Sequence, residues 1–132
     1  RLGLSERAEL LERDWTRNGW AENLGRFDLI LANPPYVEDS AELSPSVRDF
    51  EPTGALFSGP DGLDDHRLLV PQLPRLLSEN GVAVLEIGPA QAHLAVETAE
   101  RAGFSAVLRE DLAGRPRALV LRLGLGKATL PR

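Results

Sequence analysis

The sequence contains no cysteine, so disulfide bonds and cysteine-ligated metal sites are excluded. No apolar run approaches the roughly 18 to 20 residues that a membrane-spanning helix needs. No basic segment followed by an apolar core marks a secretory signal. These absences predict a chain with no membrane partner, and they fit a cytoplasmic location.

Basic residues are also in the minority, since 15 Lys and Arg stand against 20 Asp and Glu and give a net charge of −5. A protein that wraps bare nucleic acid usually presents a concentrated basic face, so no direct nucleic-acid partner is expected. The 132 residues, with 42% hydrophobic and 27% charged residues, predict one globular domain. Because the chain opens at Arg1 and contains no methionine, we expect it to be a fragment of a longer protein.

Strands and helices are predicted to alternate along the chain, which is typical of an α/β sheet with right-handed crossovers. The run 26–33 is continuously apolar, as in a strand buried on both faces. A short connecting helix is expected within 15–25, and the polar residues 37–62 predict a long loop. The predicted strands cover 8–14, 26–33, 82–88, 104–111 and 117–124, although the Glu and Leu residues of 8–14 also suit a helix.

Two longer helices are expected from the spacing of apolar residues. In the first, Pro71 and Pro74 should kink or restart the helix and Gly81 is placed as its C-terminal cap. The second covers 90–103 and ends at Gly103. The apolar faces are formed by Leu69, Leu73, Leu76 and Leu77 in the first helix and by Leu94, Ala95, Ala99 and Ala102 in the second.

The segment Asn33-Pro34-Pro35-Tyr36 directly follows the apolar strand 26–33. In open α/β sheets, ligands bind outside the carboxyl ends of the strands, so Asn33 and Asp14, each at such an end, are site candidates. The prolines fix the backbone and remove N–H donors, which leaves carbonyl oxygens in a rigid frame. A planar NH₂ group could donate to the Asn33 side-chain oxygen and the Pro34 carbonyl while its plane lies on the Tyr36 ring. A simple strand-terminating turn is the alternative.

The stretch FDLILANPPYV resembles motif IV of amino-methyltransferases that use S-adenosylmethionine (SAM). The segment VRDFEPTGALFSGPDGLDDHRLLVPQLPRLLSENGVAVLEIG and the later DLAGRPRALVLRL resemble the release factor glutamine methyltransferases, the HemK/PrmC family. This resemblance spans nearly the whole chain. It implies methyl transfer from SAM to the glutamine of the Gly-Gly-Gln motif of peptide chain release factors.

The resemblance also implies a partial class I methyltransferase sheet, Rossmann-like, with helices on both faces and an antiparallel last strand. The strand order of that fold is 3-2-1-4-5-7-6, and residues 1–132 would supply the C-terminal portion of the catalytic domain without the first two strands. The glycine-rich SAM loop would lie upstream of residue 1. We therefore expect the strand over 26–33 to have an unpaired edge, and this chain alone to bind SAM weakly or not at all and to be inactive. Micromolar affinity for SAM would contradict this expectation.

Carried over from the family, Asn33, Pro34, Pro35 and Tyr36 would be the catalytic and substrate-binding residues. Asn33 would also contact SAM, and Asp14-Trp15 would line its adenine site. Glu51-Pro52 would shape the substrate wall. No metal is implied.

Three other functions stay open on the sequence. The substrate could be a glutamine of a ribosomal protein, because one pocket could serve both protein classes. Adenine-N6 nucleic-acid methyltransferases share the motif at Asn33–Tyr36, although no target-recognition domain or basic cleft is seen. The third alternative is a non-catalytic fragment.

The remaining polar clusters are expected to be structural. His66 and His93 each stand alone, which favours packed or solvated side chains over a metal site. Asp61, Asp64 and Asp65 cluster near a helix start, where carboxylates favour the positive end of the helix dipole. Two further features, the turn Arg115-Pro116-Arg117 and Trp20, are interpreted as a solvated turn and a packing residue.

Overall fold

The computed structural model describes residues 3–37 and 58–124. The strands are β1 (Phe27–Ala32), β2 (Leu77–Glu86), β3 (Phe104–Glu110) and β4 (Pro116–Leu123). The helices are α1 (Asp64–Leu69), α2 (Leu73–Leu76) and α3 (Ala92–Arg101). Within these ranges, no helix combines the length and apolarity needed to cross a membrane.

The four strands form one mixed sheet in the order β1-β2-β4-β3. Strand β1 runs parallel to β2, whereas β4 is antiparallel to both β2 and β3. This arrangement confirms the expected 4-5-7-6 part of the methyltransferase sheet with its antiparallel strand. Because Ala32 pairs with Leu85, the residues that follow β1 lie beside the end of β2. The fold thus brings Asn33 and Glu86 together at the carboxyl ends of two neighbouring strands.

The hydrophobic core lies between the described helices and one face of the sheet. That face contributes Leu85 of β2 and Leu121 of β4, both fully buried. At roughly 25 cal/mol per Å² of apolar surface removed from water, these side chains are a main source of stability. The helical residues packed against them are Leu69, Val70, Leu73, Ala92, Ala95 and Ala99.

The two prolines divide the first predicted helix, as expected. Helix α1 ends at Leu69, a 3₁₀ turn covers Val70–Gln72, and α2 covers Leu73–Leu76. The prediction that Gly81 caps this helix is wrong, because β2 begins directly after α2, at Leu77. A Cβ at Gly81 would lie 2.9 Å from the Phe27 carbonyl oxygen, so this glycine allows β1 to approach β2 closely.

Helix α3 is confirmed, and it ends before Gly103, whose φ of +94° stops the helix. Its buried stripe contains Ala92, Ala95 and Ala99, at i, i+3 and i+7. The placement of Leu94 on that stripe is wrong. Leu94 is one residue, or about 100°, out of phase with the stripe and is 41% exposed.

The N-terminal predictions are wrong in two places. Residues 8–14 do not form a strand, and Leu10 is 98% exposed. No described strand lies next to this segment, and a strand is stable only when a neighbour takes up its hydrogen bonds. Residues 15–25 form successive turns rather than a helix, because Gly19, Asn23 and Gly25 have φ of +77°, +65° and +81°.

Strand β1 is confirmed in position, but its expected burial on both faces is wrong. Ile30 and Ala32 pack against the core, whereas Leu29 and Leu31 point to the opposite face and are 56% and 71% exposed. β1 is also the end strand of the described sheet, so its outer edge is unpaired, as expected. Nothing in the described ranges covers this face, which explains the exposure.

His66 in α1 is fully buried, and neither of its ring nitrogens has a hydrogen-bond partner among the described residues. The expectation of a packed side chain is confirmed, while His93 is exposed. Burial lowers the pKa of His66 from 6.5 to about 4, with the nearby Asp65 carboxylate opposing the shift.

We expect the free energy of unfolding to fall as the pH decreases from about 6.5 towards 4. Below pH 6.5 the unfolded chain binds a proton at His66 that the folded chain does not bind until about pH 4. The contribution of His66 to the free energy of unfolding is therefore fully present above pH 6.5. About 2 to 3 kcal/mol of it is lost between pH 7 and 4.5. Urea unfolding at both pH values measures the loss. His66→Leu should remove most of it, and His93→Leu should retain it; equal pH dependence in all three proteins would contradict the assignment.

Candidate functional site

The segment Asn33–Tyr36 leaves the end of β1 with its prolines held against the protein. Pro34 is buried and Pro35 is half-buried, whereas the Asn33 side chain is exposed to solvent. A buried proline next to an exposed amide gives a fixed backbone with an accessible donor and acceptor. The Asn33 amide is therefore accessible from solvent while the backbone that follows it is held in place.

Tyr36 is held at both its ring and its backbone. Its hydroxyl donates to Oε1 of Glu86 at 3.1 Å, and its carbonyl oxygen accepts from Nε2 of Gln91 at 2.6 Å. The ring is half-buried. Burial raises the pKa of Tyr36, and the Glu86 carboxylate raises it further, so the hydroxyl remains protonated at neutral pH.

Gln91 connects this segment to the Gly-Pro-Asp-Gly turn over 59–62. Besides Tyr36, its Nε2 donates to the Asp61 carbonyl oxygen at 3.1 Å. A Cβ at Gly88 would lie 3.0 Å from Cδ2 of Tyr36. The three motifs over 33–36, 59–62 and 86–88 therefore meet around Tyr36, although they are far apart in the sequence. Asp61 itself is bonded to Arg67, which lowers the pKa of Asp61 to about 2.

Gly62 is the tightest point of this junction. Its φ is +79°, and a Cβ there would clash with Nε2 of Gln91 and with the Tyr36 carbonyl oxygen. Only glycine combines this backbone conformation with the required space.

We therefore expect Gly62→Ala to destabilise the chain by about 2 to 5 kcal/mol, from left-handed backbone strain together with overpacking. Gly114→Ala is the matched control, because Gly114 has φ of +78° and no atom within 4 Å of the added Cβ. It should cost only the backbone strain, about 1 to 2 kcal/mol. Urea unfolding of both variants separates the backbone strain from the overpacking. Equal losses of stability in the two variants would contradict the prediction, because they would show that the neighbours of Gly62 move aside at no cost.

Trp15 is connected to the same region through side-chain hydrogen bonds. Its Nε1 donates to Oδ2 of Asp65 at 2.7 Å, and Oδ1 of Asp65 accepts from the Ser58 hydroxyl at 2.6 Å. The Ser58 backbone N–H in turn donates to the carbonyl oxygen of Val37, directly after Tyr36. The half-buried indole of Trp15 is thus tied to the segment that the sequence singles out. Asp65 serves this network, and Asp64 and Asp65 lie in the first turn of α1 as expected.

Asp14 is exposed and bonds locally. Its Oδ1 accepts from the backbone N–H and the hydroxyl of Thr16 at 2.9 and 2.7 Å, which lowers the pKa of Asp14. Arg17 lies 3.7 Å from its other oxygen. Within the described ranges, these contacts orient Asp14 without joining it to Asn33.

An open groove of about 550 Å³ lies at the carboxyl ends of β1 and β2. Three polar residues on three different segments line it: Asn33, Glu86 and Arg117. Arg117 is half-buried, and its Nε donates to Oδ2 of Asp111 at 3.1 Å. Arg115 is exposed, as expected for a solvated turn, but the same prediction for Arg117 is wrong because β4 brings it into the groove. The apolar lining residues are Leu31, Ala32, Val84 and Ala118.

The other predicted sites have simpler outcomes. Glu51-Pro52 lies outside the described residues. The Trp20 Nε1 donates to Oε1 of Gln72 at 2.6 Å, which fits a packing role. In the described part of the chain, no group of three or more His, Cys, Asp or Glu could hold a metal ion. Sequence reasoning missed Gln91 as a support of the site; its polar side chain directly before α3 was the available signal.

The chain is similar to proteins named release factor glutamine methyltransferase. It is 41% identical over 124 residues to one from Rhodospirillum rubrum, covering 92% of this chain and 37% of that protein. It is 42% identical over 125 residues to one from Cereibacter sphaeroides, covering 92% of this chain and 44% of that protein. A human protein named MTRF1L release factor glutamine methyltransferase is 36% identical over 117 residues, which are 84% of this chain and 33% of that protein.

The resemblance suggested by the sequence motifs is therefore confirmed over about nine-tenths of the chain. The chain spans 37 to 44% of the length of these two bacterial relatives. No protein-family model matches it.

Proposed function

We propose that this chain contributes the substrate-amide site of a SAM-dependent protein-glutamine methyltransferase that acts on peptide chain release factors. The observation that carries the proposal is the rigid segment Asn33–Tyr36, which places an exposed amide at the carboxyl end of β1 beside an open groove. The proposed partner is the Gly-Gly-Gln loop of the release factor. A reaction on release factors takes place where translation does, so the proposed compartment is the cytoplasm.

The residues present fit one side of a SAM site. The exposed Asn33 amide has a donor and an acceptor for the polar methionine end, and the half-buried Trp15 indole offers an apolar ring face for adenine. Asp14, next to Trp15, adds an exposed carboxylate. When bound, SAM supplies a methyl group activated by its positively charged sulfur.

The chemical task of this chain is to make a poor nucleophile reactive. The lone pair of a glutamine amide nitrogen is delocalised into its carbonyl group. The Asn33 side-chain oxygen and the Pro34 carbonyl each accept one N–H hydrogen, and the Tyr36 ring supports the amide plane. These contacts favour a pyramidal nitrogen whose lone pair points at the methyl carbon.

The bond changes then balance without a base in the first step. With SAM held beside Asn33, the glutamine nitrogen would form the N–C bond to the methyl carbon, and the sulfur would keep the electron pair of the broken C–S bond. The nitrogen afterwards loses one proton to water. The role of the protein is positioning, and the exposed Asn33 and buried Pro34 provide it.

A chimera tests this proposal, because the chain spans only part of its relatives. In the Rhodospirillum rubrum relative, the matching stretch is replaced by this chain, so that the segment Asn33–Tyr36 comes from this protein. The chimera is incubated with SAM and three substrates in parallel: a release factor, a ribosomal protein preparation and adenine-containing DNA. Mass spectrometry then locates any added methyl group.

We expect methylation of the release factor glutamine. Methylation of DNA alone would show that the substrate is adenine, and methylation of a ribosomal protein alone would show that the substrate is that protein. Absence of methylation in the chimera, with the unmodified relative active under the same conditions, would overturn the proposal.

A further inference from the structure

We propose that Glu86 is a positioning residue, whose carboxylate holds the Tyr36 hydroxyl and thereby fixes the ring that supports the substrate amide. The inference rests on the proposed function. It adds a residue that neither the motif at 33–36 nor the relatives' names assign.

The position of Glu86 in the fold suits this role. Glu86 is the last residue of β2, which runs parallel to β1, so it lies beside the segment that follows β1. Its side chain is exposed and lines the groove, and the Tyr36 hydroxyl donates to its Oε1 at 3.1 Å. A carboxylate that faces solvent is not needed to fill the core. Its contact with Tyr36 is therefore separable from the stability of the sheet.

The backbone of Tyr36 is fixed independently of Glu86. Gln91 holds its carbonyl oxygen at 2.6 Å, and the absence of a side chain at Gly88 leaves room for the ring. What remains free is rotation of the ring about its side-chain torsions. The hydroxyl bond to Glu86 restrains the swing of the ring about the Cα–Cβ bond, because it acts at the far end of the ring, where a small angular change produces the largest displacement.

Arg117 adds a second, oppositely charged group at the same hydroxyl. It lines the groove with Glu86, is bonded to Asp111 at 3.1 Å, and lies close enough to interact electrostatically with the Tyr36 hydroxyl. With the carboxylate as acceptor and the guanidinium nearby, the hydroxyl has one preferred orientation. The groups around the Tyr36 hydroxyl thus come from three places: Glu86 from β2, Arg117 from β4, and Tyr36 itself from the segment after β1.

The first test uses the fact that Tyr36 is the only tyrosine in the sequence. Its ionisation can be followed directly by ultraviolet absorbance in the 132-residue chain, with circular dichroism recording that the chain stays folded. Because the Glu86 carboxylate raises the pKa of Tyr36, Glu86→Gln should shift the titration to lower pH. Glu79→Gln, at the other end of the same strand, is the matched control and should leave the titration unchanged. A Glu86→Gln curve that overlays the unsubstituted chain would overturn the inference.

The second test measures turnover in the chimera. Glu86→Ala should lower kcat by about tenfold and leave the KM for SAM unchanged, because the defect is in orienting the amide. Glu86→Gln retains an oxygen acceptor and should recover most of the rate, whereas Glu79→Ala should have no effect. Tyr36→Phe should resemble Glu86→Ala, and the double variant should be no slower than either single variant, since both remove the same contact.

The outcomes separate the two proposals. An active chimera that is indifferent to Glu86→Ala would overturn the positioning role and leave the proposed function standing. An inactive chimera with a shifted Glu86→Gln titration would overturn the proposed function while confirming the contact at Tyr36. Additive losses in the double variant would also contradict the inference, because they would show that the two residues act separately.

Discussion

Replacing Asn33 by alanine should lower the rate of glutamine methylation in the chimera by roughly 10²- to 10³-fold, the loss typical of a preorganised hydrogen-bonding group at the reacting centre. The variant removes the side-chain oxygen that is proposed to accept one hydrogen of the substrate amide. In the proposed mechanism, the Pro34 carbonyl would then be the one acceptor left for the two amide hydrogens. Single-turnover mass spectrometry with saturating SAM measures the methyl-transfer step directly.

The same substitution should hardly affect folding. Asn33 is exposed, so the free energy of unfolding should change by less than about 0.5 kcal/mol. Asn80→Ala, at an exposed position in β2, is the matched control and should retain full activity. If Asn33→Ala methylates at the control rate, the segment after β1 is a structural turn and the mechanism proposed for it is wrong.

Replacing Leu121 by alanine should destabilise the chain by about 2 to 5 kcal/mol. Leu121 is fully buried on the face of β4 that packs against the helices, and the substitution leaves a cavity in a closely packed core. Total stability of a domain is only about 5 to 15 kcal/mol, so this one change removes a large part of it. Equilibrium unfolding in urea gives the difference from the shift of the midpoint at constant slope.

Leu31→Ala is the control for this prediction, because it removes the same atoms from the opposite face. Leu31 is 71% exposed, so we expect a change below about 0.5 kcal/mol. A loss as large as that of Leu121→Ala would mean that the open face of β1 is covered in solution, either by another copy of the chain or by another segment. Sedimentation of the unsubstituted chain at several concentrations would distinguish these two cases.

Much of the fold could be predicted because its signals are local. The apolar runs at 26–33 and 82–88 predicted β1 and β2, and Gly103 marked the end of α3 correctly. The predictions failed where a residue's role depends on a distant neighbour. Residues 8–14 were expected to form a strand but have no described strand beside them, and Gly81 looks like a helix cap although its role is to let β1 approach β2.

The candidate site divides in the same way. Asn33–Tyr36 could be recognised in the sequence because two prolines after a buried-type strand are unusual and because the family motif is contiguous. Its supports could not, since Glu86 and Gln91 reach Tyr36 across 50 and 55 residues of sequence. Arg117 was interpreted as part of a solvated turn for the same reason, because only the antiparallel pairing of β4 with β2 brings it to the groove.

The sequence alone determined the alternation of strands and helices, the choice of Asn33–Tyr36 as the candidate site segment and the resemblance to glutamine methyltransferases. These properties depend on side-chain periodicity and on residues adjacent in the chain. Only the tertiary structure decided which face of β1 is buried and which groups hold Tyr36. It also decided how the motifs over 33–36, 59–62 and 86–88 meet at the carboxyl ends of β1 and β2. The physical reason is that burial and hydrogen bonding are properties of pairs of segments, and no single segment carries the information about its partner.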